Sequence, residues 1–116
     1  MSFEPKYFID ISKELRNGNT EAHYRTLINR AYYGVFGHIR KRWPTYISDG
    51  SVHKDLIRSL KNSPHINDKK IGKRLETLFK KRKDADYKYS SEIKKTSCNF
   101  AINEAEDIIN LFDKKF

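Results

Sequence analysis

Apolar residues recur along this chain at intervals of three and four, the spacing of one face of an α-helix. The pattern predicts five helices. The first covers about residues 4–16, with Phe8, Ile11 and Leu15 on one face and Pro5 in the first turn, where its missing amide hydrogen is tolerated. "NGNT" interrupts it, with Gly18 as a C-terminal stop and Asn19 or Thr20 as the next N-cap. The second helix covers about residues 21–43 and keeps its period through Tyr24, Leu27, Ile28, Ala31, Tyr32, Val35, Phe36, Ile39 and Trp43. Pro44 ends it, because the residue before a proline is pushed out of the α region. After the loop "PTYISDGS" a short helix over about residues 51–61 turns Val52, Leu56, Ile57 and Leu60 inward. "NSPHIND" leads to a fourth helix over about residues 68–83 or slightly beyond. "KYSS" connects it to a fifth over about residues 91–114, whose stripe is Ile93, Phe100, Ala101, Ala105, Ile108 and Phe112. Helical patterns joined by short loops predict an all-α bundle.

Two helices carry polar residues where apolar ones are expected. In the fourth, Ile71, Leu75, Leu78 and Phe79 define the buried stripe, and its next position is Arg82. A buried arginine must be paired and hydrogen-bonded, and Asp86, one turn further on, can supply the partner. Such a pair can simply close the end of a bundle. It can also hold a bidentate guanidinium rigid for a phosphate. Around the stripe lie Lys69, Lys70, Lys73, Arg74, Lys80, Lys81 and Lys83, with Glu76 the only acid between them. Such a run forms a solvated face or an electrostatic track for a polyanion. In the second helix Arg30, Tyr33, Gly34 and Gly37 share a face. Two glycines inside a helix cost about 1 kcal/mol each relative to alanine. Their presence predicts close approach by a neighbouring helix, a second subunit or a ligand.

The chain has 116 residues, which fits a single domain over residues 1–116 with a modest core. The net charge of +9 permits RNA, DNA or an anionic surface as partner. One cysteine, Cys98, excludes an internal disulfide and a CxxC metal site, and its apolar context makes it a small core residue. No run of about 18 apolar residues exists, so no membrane span is expected. "MSFEPKYF" lacks the apolar segment of a signal peptide, which leaves the cytoplasm as the expected location. No helix-turn-helix pattern points to DNA.

"NRAYYGVFGHIRK", then His53 in "SVHKDL", then "RKDADY" resembles in order and spacing the HEPN family (higher eukaryotes and prokaryotes nucleotide-binding domain). The likeness is to its small stand-alone prokaryotic branch, which shows an AYY segment, a histidine before a short helix and an RxxADY segment. The resemblance implies an antiparallel up-and-down bundle, usually a homodimer, with polar residues of both subunits lining a cleft. It implies RNA as a partner and no cofactor or metal, since many members are metal-independent ribonucleases of toxin–antitoxin or defence systems. A minimal nucleotidyltransferase is often the antitoxin. The implied catalytic positions are Arg82, Asp86 and Tyr87, with Arg30, Tyr33, His53, Lys73, Lys80 and Lys81 lining the cleft or meeting RNA. Active members carry Arg-x(4–6)-His, whereas here Arg82 is followed at that spacing by Tyr87. Histidine side chains titrate near 6.5 and tyrosines near 10, so tyrosine is a poor proton carrier at neutral pH. His38 and His53 are candidate substitutes. Two functions follow: an RNA-directed HEPN protein with ribonuclease chemistry, or a non-catalytic HEPN module that dimerises or docks a nucleotidyltransferase. Tyr87 favours the second.

Overall fold

The computed structural model describes residues 2–43 and 51–115, so most of the expected loop "PTYISDGS", with Pro44, lies outside the described residues. The chain forms five helices: α1 Tyr7–Leu15, α2 Glu21–Arg40, α3 Val52–Lys61, α4 Ile66–Tyr87 and α5 Lys95–Asp113. No strand occurs among the described residues. The all-α bundle expected from the periodicity is the observed fold.

Contacts between helices set their directions. α1 runs against α2: the Ser12 hydroxyl donates to the Leu27 carbonyl (3.0 Å), and Pro5 lies against Gly37. α4 also runs against α2, since Arg25 reaches Ala85 while Tyr32 packs on Phe79. α5 returns along α4, with Arg74 forked onto Glu104 (2.6 and 3.1 Å) and Lys81 over Phe100. α2 and α5 therefore run parallel: the Tyr24 carbonyl accepts from Cys98, and His38 meets Asp113. α3 lies antiparallel to α4, with Leu60 above Gly72 and His53 on Phe79. The core is built from Leu27, Ala31, Tyr32, Val35 and Ile39 of α2, Leu75 and Leu78 of α4, and Ala101, Ala105, Ile108 and Phe112 of α5. Leu56 and Leu60 of α3 close it.

The glycine face of α2 is filled by α1 and by Pro5 just before it. A Cβ at Gly34 would stand 2.7 Å from Ile9 Cγ1, and one at Gly37 2.5 Å from Pro5 Cβ. Of the three occupants the sequence allowed, the neighbouring helix is the one present. This docking also selects the buried face of α1. Ile9 and Ser12 are buried, whereas Ile11, expected inward, is 44 % exposed. Apolar residues lie on several sides of α1, and the glycine notch decides which of them is covered.

The helix ends differ from expectation where side chains intervene. Thr20, one of the two expected caps, does cap α2 by accepting from the His23 amide. α2 ends at Arg40 rather than Trp43, whose indole N–H donates to Ser59 Oγ (2.8 Å). α4 begins two residues early because buried Asp68 accepts from the Ser63 hydroxyl (2.6 Å) and from Lys115 (2.7 Å). α5 begins late, because Ser91 and Ile93 are used elsewhere: the Ser91 carbonyl accepts from Arg25 and the Ile93 amide donates to Glu21. Phe100, expected in the stripe of α5, is 39 % exposed, and Ile102 and Ile109 are buried.

Candidate nucleic-acid site

α4 continues as a helix through Tyr87, which puts Asp86 one turn beyond Arg82 on the same side. Arg82 is only 7 % exposed. Its Nη1 donates to Asp86 Oδ2 at 3.1 Å. Its guanidinium carbon lies 5.5, 5.4 and 5.2 Å from the ring centres of Tyr32, Tyr33 and Phe79. Aromatic faces attract a cation at such distances and leave its edges free for hydrogen bonds. Asp86 is steadied from the other side, since Asn29 Nδ2 donates to both of its oxygens at 3.1 and 3.3 Å. Two buried polar atoms in this group, Arg82 Nε and Asn29 Oδ1, have no partner among the described residues. Buried polar atoms are seldom left so, and each such atom calls for a reason.

His53 enters the same group from the first turn of α3. Its ring stacks on Phe79 (centroids 5.3 Å apart, planes 17° apart) and lies 4.3 Å from Phe36 and 5.6 Å from Tyr33. Burial, and then the charges of Arg82 and Arg40, hold the imidazole below the ordinary histidine pKa. Burial pushes the Tyr32 phenol in the other direction, upward, against a smaller opposing pull from Arg82. At neutral pH both groups are therefore uncharged. The Tyr32 oxygen and His53 Nδ1 are 2.8 Å apart. The bond has two forms: a phenol donating to Nδ1 leaves the ring hydrogen on Nε2, and a phenol accepting from Nδ1–H leaves Nε2 bare. A cation and a neutral imidazole thus rest on one set of aromatic rings, although 29 positions separate them.

The other expected site residues disperse. Tyr33 belongs to the ring group. Arg30 turns toward α1, with its guanidinium carbon 5.3 Å from the Phe8 ring. Asn29, Arg30 and Tyr33 line a shallow depression there with Phe8 and Phe36. Tyr87 is 69 % exposed and stands outside the ring group. Lys81 lies over Phe100 on the α5 side (4.9 Å), Lys80 faces α3, and Lys73 is exposed. His38 is remote in contacts: it is buried and its Nε2 is 2.7 Å from Asp113. Among the described residues no three His, Cys, Asp or Glu side chains gather as metal ligands, and no helix is long and apolar enough to cross a membrane.

Asn29 and Arg25 were not singled out by the sequence reading. Asn29 opens the stretch "NRAYYG", a polar residue adjoining the buried stripe, and that position was its signal. Arg25 gave none. It reaches from α2 to the end of α4, donating through Nη1 to the carbonyls of Asp84 and Ala85, and through Nη2 to those of Lys88 and Ser91. Glu21 also accepts from it at 3.0 Å. Comparison with protein-family models, with curated proteins and with solved structures found no match to this chain.

Proposed function

We propose that this chain is a HEPN-like, RNA-directed protein that acts as a homodimer, with Arg82, Asp86 and His53 at the phosphate. One observation carries the reading: the Arg82 guanidinium and the His53 imidazole pack on the same Tyr32, Tyr33 and Phe79 rings. An arginine–histidine pair supplies what RNA strand transfer needs. The ribose 2′-oxygen attacks the adjacent phosphorus, its bond to phosphorus forms and the bond to the 5′-oxygen breaks. The products are a 2′,3′-cyclic phosphate and a 5′-hydroxyl. Arg82 is the group that offsets charge gathering on the phosphate oxygens. His53 moves the proton: it takes one from the 2′-hydroxyl and returns one to the leaving 5′-oxygen. With Nδ1 accepting from Tyr32, Nε2–H is a donor suited to a phosphate oxygen. For Nε2 to act as the base the ring must first take its other tautomer, with the proton on Nδ1 and the Tyr32 hydroxyl turned to accept from it. In this reading His53 takes the role that the residue at position 87 has in the Arg-x(4–6)-His motif. The setting is a toxin–antitoxin or defence system in the cytoplasm, and a nucleotidyltransferase is the matching antitoxin.

A second reading rests on a different observation. Arg82 is nearly enclosed within one chain, and Tyr87 points to solvent. Both favour a non-catalytic module in which the Arg82–Asp86 pair shapes a surface for a second subunit or a nucleotidyltransferase. The test is cleavage of a mixed, end-labelled RNA panel in EDTA by wild type, Arg82→Ala and His53→Ala. Cleavage by wild type that is lost in both folded variants supports the first reading. A folded wild type that binds RNA without cutting it leaves the second. Absence of RNA binding overturns RNA as the target.

A further inference from the structure

Between α3 and α4 runs an open groove of about 410 Å³. Phe79 and Ile57 line it, and its walls carry Lys54, Arg58, Lys80 and Lys83 together with Lys61 and Glu76, which pair with each other at 3.1 Å. The volume falls within the range of about 300–1,000 Å³ found for pockets that hold small organic ligands. The wall cations are poorly neutralised. Arg58 pairs with Asp55 at 3.2 Å, while Lys54, Lys80 and Lys83 make no ion pair among the described residues. Holding like charges along one groove raises the energy of the empty protein, and a polyanion relieves it.

Phe79 also joins the groove to the ring group. Its ring carries Lys83 Nζ at 4.7 Å, the Arg82 guanidinium at 5.2 Å and the His53 ring at 5.3 Å. Lys54, on the wall, is the next residue after His53. The groove and the arginine–histidine pair thus share the Phe79 ring, although neither Arg82 nor His53 lines the groove itself. Cationic walls of this kind match the phosphates of a single strand, while Phe79, buried under Lys83, Arg82 and His53, anchors the walls rather than offering a face to a base.

We infer that the α3–α4 groove is the track that holds single-stranded RNA beside Arg82 and His53. The inference rests on the RNA-directed reading above and narrows it. The basic run of α4 is divided: Lys80 and Lys83 face the track with Lys54 and Arg58 of α3, whereas Lys70 and Lys81 do not line it.

The test is fluorescence anisotropy of a labelled 12-nucleotide single-stranded RNA across a potassium chloride series. Wild type is compared with Lys54→Glu/Lys83→Glu and with Lys70→Glu/Lys95→Glu, which changes the net charge equally away from the groove. Circular dichroism confirms that each is folded. Single strands lose log affinity against log salt with a slope of about 0.7 per phosphate contact. The groove pair is expected to weaken binding more than tenfold and to flatten that slope by roughly 1.4 for two contacts. The other pair is expected to stay within threefold of wild type. Equal weakening by both pairs, or none by the groove pair, overturns the track while RNA binding itself stands. A wild type that binds no RNA overturns the RNA-directed reading and the track with it.

Discussion

The Tyr32 hydroxyl and His53 Nδ1 are 2.8 Å apart, which ties the middle of α2 to the first turn of α3. Tyr32→Phe keeps the ring and removes the donor. The loss expected is about 1 kcal/mol, the usual net worth of such a bond. Urea unfolding measures it, and a stability equal to wild type would show that the bond contributes nothing. The nitrogen shifts of His53 in an NMR spectrum should change as well, because Nδ1 then has no partner to set the ring tautomer.

The depressed pKa of His53 has a defined consequence for stability. The unfolded chain binds a proton at this histidine near pH 6.5, whereas the folded chain resists it until lower pH. Between those values the unfolded state holds more protons. The contribution is thus fully present above about pH 6.5 and is lost as pH falls through the folded value. Unfolding free energy measured from pH 7 down to 5 should fall less steeply in His53→Gln than in wild type. Parallel curves would place the loss elsewhere.

Arg82 should stand apart from its lysine neighbours. Arg82→Ala removes a buried cation from three rings and from Asp86, and a loss of about 3 kcal/mol is expected, the low end for breaking a buried pair because Asp86 is partly exposed. Arg82→Lys should recover little of it, because an ammonium has no planar fork to lie on the rings. Lys80→Ala, on an exposed side chain, should change stability by no more than about 0.5 kcal/mol. Chemical unfolding of the three variants decides this, and similar values for all would remove the special status of Arg82.

Gly34→Ala pits helix propensity against packing. Alanine gains about 1 kcal/mol over glycine within a helix. Its Cβ would meet Ile9 Cγ1 at 2.7 Å and the Ile9 amide nitrogen at 3.3 Å. The backbone of α1 is involved, so overpacking at about 1–3 kcal/mol outweighs the gain. A lower melting temperature is expected, with partial recovery in Gly34→Ala/Ile9→Ala. A rise in melting temperature would mean that α1 moves aside without cost.

The helices were legible because their period runs through long segments such as Tyr24 to Ile39, where many apolar residues agree. Short α1 was misread at Ile11 since its face is chosen by Gly34 and Gly37, which lie on another helix. Arg82 and Asp86 were legible as a pair because four residues of helix join them. The meeting of His53 with Tyr32 was not, since it depends on how a loop returns α3 to α2. The Asn29–Asp86 contact spans 57 positions, and nothing local announces it. The basic residues of α4 could be counted in the sequence, but only the packing of α3 and α5 on either side sorts them.

The grip of Arg25 on the end of α4 has a consequence for how the molecule meets a ligand. The last carbonyls of a helix ordinarily turn to solvent and fray. Here those of Asp84, Ala85 and Lys88 are gathered by a side chain about sixty positions upstream. The terminal turn that carries Asp86 is thus completed only in the assembled fold, and a peptide of α4 alone would lack it. Freedom lost at that turn is lost once, during folding, and need not be lost again when a partner arrives. A surface prepared in this way binds with a smaller entropic penalty than one that must first be set in order.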